Sequence, residues 1–496
     1  MKIKITTSQF LILAIIILAI ALRVLVLFKI GDFTWDELFN FVYSQKSWIE
    51  SIKIWQFETN PPLHLLFLKL WWFIFPTNEF WARLPSLVFG ALGIYAIYFT
   101  VQKMFSRDVA LIAALITAVC APQIYASVLT RVYSALFLLA TLSIYFFYKI
   151  FITKERSRPV MYGYILIQIL LLFSHLTAVE VIAAEFFSLI FLRLAKQDYW
   201  LWIKLNAFPA VLWLIWIIPS LVLKFSNPRI GQAWFLNIDP PMSAITNLSN
   251  IVFFSPWLLV NLSAITIFSV VLIWTIIKIT LSKQSLTPAF ILILTYVATT
   301  VGFGVAYHLW NIKFFMVAFP GLIILLSYLA VTQTKKLQAT LIFLLIALQF
   351  SGSIHFLNRL PISQWGGFNN LVSDLYQSNK KQAVLVAYFV DKLTFDHYYQ
   401  GPMPPYYFMP FAPDQWEKQI LTNNYNYPGY SFSAEQAQQW YKSTNLNNYE
   451  EIIVLEWELP KQHLTKEILE INGWKLKQSY AINIPIQHRV YDYVKN

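Results

Sequence analysis

The sequence predicts a polytopic α-helical membrane protein, with about 11 transmembrane helices, followed by a soluble α/β domain. Three observations predict it. Hydrophobic residues make up 58% of the chain and charged residues only 12%, a balance far from that of soluble proteins. Apolar runs of roughly the 20 residues needed to cross the hydrocarbon recur from Ser8 to Phe350. From Ser353 to Asn496 charges, prolines and polar residues return, as in a globular chain. The chain therefore divides into a membrane domain, 1–352, with a first external loop at 30–83, and a C-terminal domain, 353–496.

The expected spans are 8–28, 84–102, 109–128, 133–151, 161–175, 178–194, 205–223, 257–279, 289–307, 314–332 and 339–352. Basic residues cluster in alternate connections: Lys2 and Lys4, Lys103 and Arg107, Lys154 to Arg158, Arg193 to Lys204, Lys278 and Lys283, Lys335 and Lys336. By the positive-inside rule these face the cytoplasm. Counting 62–75 as a crossing would turn every later basic loop outward, so that stretch reads as a helix lying on the outer surface, opened by Pro61-Pro62. The N-terminus is then cytoplasmic and the C-terminal domain extracytoplasmic. The net charge of +12 belongs to the membrane part, because the last 144 residues hold 12 basic and 13 acidic side chains. The excess is a topology signal, and a nucleic-acid surface is excluded. The single cysteine, Cys120, rules out an intrachain disulfide.

The C-terminal stretch reads as α/β. A helix is expected around 368–378, a strand at 383–389, a helix after Asp391, a strand at 451–456, a helix at 464–472 and strands within 475–493. The aromatic and proline-rich section 399–430 is either an acceptor-facing loop or packing surface.

Unusual polar groups collect on the predicted outer side. Asp36 and Glu37, in Thr34-Trp35-Asp36-Glu37, follow the first span, where a carboxylate carries a large desolvation cost. Thr34 with Glu37 three residues on also forms a capping box, which accounts for Glu37 better than for Asp36. Ser47-Trp48-Ile49-Glu50 is a second such box, read as capping alone. Arg131 stands in a short external turn where the positive-inside rule disfavours a cation. It either grips a phosphate in bidentate fashion, with the Tyr133 hydroxyl beside it, or reaches for lipid headgroups. Arg83 and Lys313 are similarly placed cations, Lys313 reading equally as an interfacial anchor. His64 and His175 face the same compartment, and Glu180 is a candidate partner of His175. No zinc or calcium spacing surrounds these histidines. No metal site and no cofactor are called for, and the sequence does not decide divalent-metal dependence.

Taken together, Trp35-Asp36-Glu37, Asn60-Pro61-Pro62-Leu63-His64, the Phe80 to Ser86 step, and Ala121 to Ser127 leading to Thr130-Arg131-Val132-Tyr133 resemble the lipid-dependent glycosyltransferases of the GT-C superfamily. The branch is that of the protein O-mannosyltransferases and the bacterial aminoarabinose transferase. The resemblance covers residues 1–200 best. It implies a bacterial cytoplasmic-membrane enzyme that transfers a sugar from a polyprenyl-phosphate carrier to a hydroxyl of a protein, lipid or glycan acceptor on the outer face, inverting the anomeric carbon. Asp36 would be the general base, assisted by Glu37, and Arg131, Lys313 and Arg83 would stabilise the departing phosphate. Some relatives carry a basic residue where this chain has Asn60, and Arg-Tyr where it has Lys313-Phe314. A transporter or flippase with Arg131, His175 and Glu180 along its path is the competing reading. It lacks the paired, interrupted helices of many transporters.

Overall fold

The computed structural model describes residues 7–56, 58, 60–225, 241–253, 255–282, 285–307, 311–358, 364–388, 391–409, 433–457, 464–481 and 488–495. Two compact units divide the chain. The first comprises 1–28, 43–223 and 235–359, and the second 29–42, 224–234 and 360–496.

The first unit is helical, and a helix lies at each of the eleven stretches expected to span. Seven are long and apolar enough to cross a membrane: α1 (Thr7–Lys29), α5 (Glu79–Met104), α8 (Tyr133–Phe147, extended by a π-helical turn to Ile152), α11 (Lys196–Phe225), α13 (Leu258–Leu281), α14 (Pro288–Ala306) and α16 (Lys335–Asn358). Two apolar helices are shorter, α9 (Arg158–Leu172) and α15 (Phe319–Val331). They are joined by α6 (Arg107–Val119), α7 (Ala121–Ala126), α10 (Ala178–Phe191) and α12 (Pro241–Phe253). Helix α5 packs on α6 and α8, α15 on α6, and α10 on α14.

The run 109–128, expected as one continuous span, is two helices. Pro122 cannot continue α6, and Cys120 before it turns extended at ψ 121°. The break leaves carbonyls at the end of α6 without helical partners. Arg23, fully buried in α1, takes them: its guanidinium donates to Ala118 O at 3.0 Å and Thr117 O at 3.2 Å, and its Nε to Ser127 Oγ at 3.0 Å. A charge inside an apolar helix is thereby explained by the proline at the start of α7. Gly90 of α5 closes against the same point, where a Cβ would lie 2.0 Å from Ser127 Oγ.

Between α1 and α5 lie α2 (Trp35–Gln45), α3 (Trp48–Trp55) and α4 (Leu63–Trp71). Ser47 and Glu50 form the expected capping box at the start of α3. The nine residues of α4 fall well short of a crossing. Its buried face carries Lys69, whose Nζ donates to Ser51 Oγ at 2.9 Å and Ser44 O at 3.3 Å and lies 5.0 Å from the Trp48 ring. Phe73 and Ile74 beyond it are exposed, as an interfacial helix end requires.

The second unit is an α/β domain built on a five-stranded sheet of order β2-β1-β3-β5-β4, with β1 (Gln382–Val386), β2 (Pro405–Tyr407), β3 (Glu451–Trp457), β4 (Trp474–Ala481) and β5 (His488–Lys495). Strands β2, β1 and β3 are parallel, and β5 runs antiparallel to β3 and β4. Alternation along β1 and β3 sorts the core into two layers. Val384, Val386, Ile453 and Leu455 meet α17 (Gln364–Leu375) and α18 (Lys392–Tyr398) through Phe368, Val372 and Phe395. Ala383, Leu385, Ile452 and Val454 meet α19 (Ala434–Ser443) and α20 (Leu464–Ile471) through Tyr441, Ile468 and Leu469. Strand β1 is buried on both faces, which is why it reads as an unbroken apolar run. The expected aromatic platform falls partly at 410–432, outside the described residues.

Candidate functional site

The acidic segment belongs to the second unit. Trp365 N donates to Asp32 Oδ2 at 2.8 Å, Phe33 N donates to the Tyr398 hydroxyl at 2.6 Å, and Trp35 packs against the core layer formed with α17 and α18. Asp36 and Glu37 thus open α2 from a start pinned to the sheet domain. Glu37 is fully buried, and its Oε2 accepts from Thr34 N and Thr34 Oγ1, both at 3.0 Å, while Glu37 N reaches Thr34 Oγ1 at 3.4 Å. This is the capping box, and it fixes Glu37 as the brace of the helix start. Asp36 is half-buried in the first turn, and its carbonyl accepts from Asn40 Nδ2 at 2.8 Å. Anionic side chains at this position gain from the helix dipole.

A cationic cluster forms in the first unit, where three connections meet. The turn between α7 and α8 supplies Thr130, Arg131 and Tyr133, the turn between α9 and α10 supplies His175, and α4 supplies His64. Arg131 is only 7% exposed, its carbonyl accepts from Ser86 Oγ at 3.1 Å, and its guanidinium carbon lies 5.7 Å from the centre of the Tyr133 ring. His175 sits between two rings, 6.1 Å from that of Tyr133 and 6.0 Å from that of Phe314. Leu63 N donates to Phe173 O at 3.0 Å, which ties the start of α4 to the end of α9 and brings His64 alongside. The His64 ring hydrogen-bonds the backbone of Thr130.

Burial pushes both imidazoles down to about 3, and Arg131 adds to the effect on each; Lys313 adds to it on His175. Both rings are therefore neutral at pH 7. Nε2 of His64, Nε2 of His175, the Tyr133 hydroxyl and the Ser134 hydroxyl are buried without a hydrogen-bond partner among the described residues. Unsatisfied polar groups are costly when buried, and several of them around one guanidinium make this neighbourhood the candidate site.

Five residues singled out from the sequence, His64, Arg131, Tyr133, His175 and Lys313, thus fall in one neighbourhood. Arg83 is engaged differently, in an ion pair with Glu79 one turn earlier at 3.7 Å. The expected partnership of His175 with Glu180 gives way to Thr177, whose backbone N–H and hydroxyl lie 3.2 and 2.8 Å from Nδ1. Only Leu176 separates them in sequence, so the turn itself brings them together. Glu180 is buried farther along α10. Glu185, on α10, had no sequence signal beyond being a carboxylate in an apolar run, yet four side chains from three other helices converge on it. Among the described residues no three His, Cys, Asp or Glu side chains gather as a metal site requires.

The model of the dolichyl-phosphate-mannose-protein mannosyltransferase family matches residues 59–221. That stretch contains His64, Arg131, Tyr133 and His175. Sequence comparison with curated proteins gives no significant match. Among solved structures, ArnT from Cupriavidus metallidurans bound to undecaprenyl phosphate is similar over 98% of both chains at 11% identity, with a TM-score of 0.61. Its apo state gives 0.60 at 12% identity over the same shares. The oligosaccharyltransferase of Archaeoglobus fulgidus is similar over 90% of this chain and 69% of its own at 10% identity, with a TM-score of 0.54.

Proposed function

The chain has the fold of the GT-C superfamily of glycosyltransferases, and from that premise we propose that it moves a sugar from a polyprenyl-phosphate carrier to an acceptor hydroxyl on the extracytoplasmic side, with inversion. The observation that carries the reading is the buried Arg131, surrounded by polar groups without partners of their own. A guanidinium can grip a phosphate oxyanion in bidentate fashion. Undecaprenyl phosphate in ArnT and dolichol phosphate in the archaeal oligosaccharyltransferase name the class of lipid that such a fold holds.

In the proposed reaction the carboxylate of Asp36 takes the proton of the acceptor hydroxyl, and the acceptor oxygen bonds to the anomeric carbon. The bond from that carbon to the phosphate oxygen breaks, and the electron pair leaves on the phosphate. The carrier changes from a phosphodiester to a phosphate monoester and gains negative charge in the transition state, where the Arg131 and Lys313 cations stabilise it more than in the ground state. Because phosphate is a good leaving group, the step needs no nucleotide and no protein acid. The base must come within about 2.6–3.2 Å of the acceptor oxygen. Glu37, held by Thr34, sets the start of the helix that presents Asp36.

Purified protein in lipid, given a radiolabelled polyprenyl-phosphate sugar, tests the proposal. Acceptor-dependent release of polyprenyl phosphate with label on the acceptor is expected. Movement of the intact labelled lipid across the bilayer without release would replace this reading with that of a flippase.

A further inference from the structure

The segment that carries Asp36 is held at two consecutive residues before its helix begins. Asp32 reaches to α17, where the N–H groups of the first turn have no acceptors within the helix. Its Oδ2 accepts from Trp365 N at 2.8 Å, so a carboxylate 333 positions away in sequence caps that helix and gains from its dipole. The next residue, Phe33, donates its N–H to the hydroxyl of Tyr398, the last residue of α18, at 2.6 Å. The two anchors are tied to each other as well. The Trp365 and Tyr398 rings stack with their centres 6.1 Å apart, and Asn369 Nδ2 of α17 donates to Tyr398 O at 2.9 Å.

Helix α2 is fixed in rotation as well as in place. Trp35, its first residue, packs against the layer that contains Phe368, Val372 and Phe395. Farther along, Phe41 meets the ring of His397 edge-on at 5.8 Å, with the Phe33 ring 5.1 Å from it. At 3.6 residues per turn Phe41 lies about 140° around the helix from Asp36. The sides held by α17 and α18 are thus not the side that presents the carboxylate.

We infer that Asp32 and Tyr398 are positioning residues of the transfer reaction: by holding the backbone of residues 32 and 33 against α17 and α18 they aim the Asp36 carboxylate. The C-terminal domain thereby sets the rate of proton removal. This rests on the reading of Asp36 as the general base and adds what aims it. A base displaced by about 1 Å loses on the order of 100-fold in rate. Loss of one anchor costs less, because Trp35 and Phe41 still hold the helix. None of these contacts involves Arg131, His64, His175 or Lys313, so weakening them changes turnover and leaves binding of the lipid carrier as it was.

The test is single-turnover release of polyprenyl phosphate by the full chain in lipid, from a radiolabelled polyprenyl-phosphate sugar with saturating acceptor. Tyr398→Phe keeps the ring on Trp365 and removes only the hydroxyl. It should slow release about ten-fold, with the Kd for polyprenyl phosphate within about two-fold of the unaltered value. Asp32→Leu should slow release by about the same factor, and Asp32→Asn, whose amide oxygen can still accept from Trp365 N, should recover most of the loss. In the Asp36→Asn background Tyr398→Phe should slow release no further, because a residue that acts through the carboxylate has nothing left to aim. A merely structural role would cost the same factor in both backgrounds, and that result overturns the inference. Unchanged release in Tyr398→Phe and Asp32→Leu, with Asp36→Asn slowed, also overturns it and leaves Asp36 as the base. Release at the unaltered rate in Asp36→Asn overturns the reading of the base, and the positioning role with it.

Discussion

Thr177 donates its backbone N–H to Nδ1 of His175, with its hydroxyl oxygen 2.8 Å from the same nitrogen. The contact spans a single turn between two apolar helices, yet it decides which face of the imidazole can donate to a ligand. Thr177→Val keeps the backbone donor and removes the hydroxyl. It should weaken binding of polyprenyl phosphate by about two- to ten-fold, the worth of one neutral hydrogen bond. Calorimetric titration reads the change, and thermal unfolding in detergent should show the fold intact.

Arg131 should matter more. Its guanidinium is buried, and charge-assisted hydrogen bonds contribute about 1.5–3 kcal/mol each. Arg131→Met should raise the Kd for polyprenyl phosphate by about 100-fold, and Arg131→Lys, which keeps the charge without the planar fork, by about ten-fold. Equal losses in the two variants would mean that geometry counts for more than charge.

Glu185 makes a different prediction, one about stability. Its carboxylate accepts from Ser143 Oγ at 2.5 Å, Tyr164 Oη at 2.5 Å, Gln168 Nε2 at 2.8 Å and Trp202 Nε1 at 3.3 Å, side chains of α8, α9 and α11. Four donors aimed at one acceptor group leave no place for an amide. Glu185→Gln should lower unfolding stability by about 2 kcal/mol, with Glu185→Ala costing at least as much. Lipid-phosphate affinity should stay near the unaltered value, since Glu185 lies a turn and a half from Glu180 and deeper along α10.

In the sheet domain, Lys477 Nζ bridges two buried carboxylates on neighbouring strands, Glu451 at 2.7 Å and Asp492 at 3.1 Å. Burial, with Glu451 beside it, pushes Asp492 up to about 6. At Glu451 burial is outweighed by hydrogen bonds from Lys477 and Gln382, and the group is lowered. The folded pKa of Asp492 lies above its unfolded value near 3.9, so its contribution is complete below about pH 4 and is lost as pH rises through about 6. That of Glu451 is present above its unfolded value and is lost as pH falls through its lowered one. Lys477→Met should cost about 1–2 kcal/mol, tempered by the half-exposed ammonium, and more at pH 8, where both carboxylates are ionised, than at pH 5. Hydrogen exchange along β5 in the full chain measures it.

Much of this architecture could be read from the sequence because membrane helices and capping boxes are local. Runs of apolar residues located the helices, Thr34 with Glu37 announced the box that opens α2, and the 383–389 run became β1 within a few residues. Arg131 and His175 stood out because a cation and an imidazole in short turns between apolar runs need a partner. What escaped was tertiary. The split of 109–128 depended on Pro122, but its consequence for Arg23 required knowing that α1 lies against α6. The four donors around Glu185 come from helices whose facing sides no periodicity specifies. The anchoring of 29–42 in the sheet domain through Asp32 and Phe33 joins residues more than 300 positions apart.

The central claim is that Asp36 removes the acceptor proton, and a single-turnover assay of Asp36→Asn tests it most directly. With a radiolabelled polyprenyl-phosphate sugar and a saturating acceptor, the account predicts lipid binding within about two-fold of the unaltered protein and release of polyprenyl phosphate slowed by at least about 100-fold. Release at the unaltered rate would contradict it.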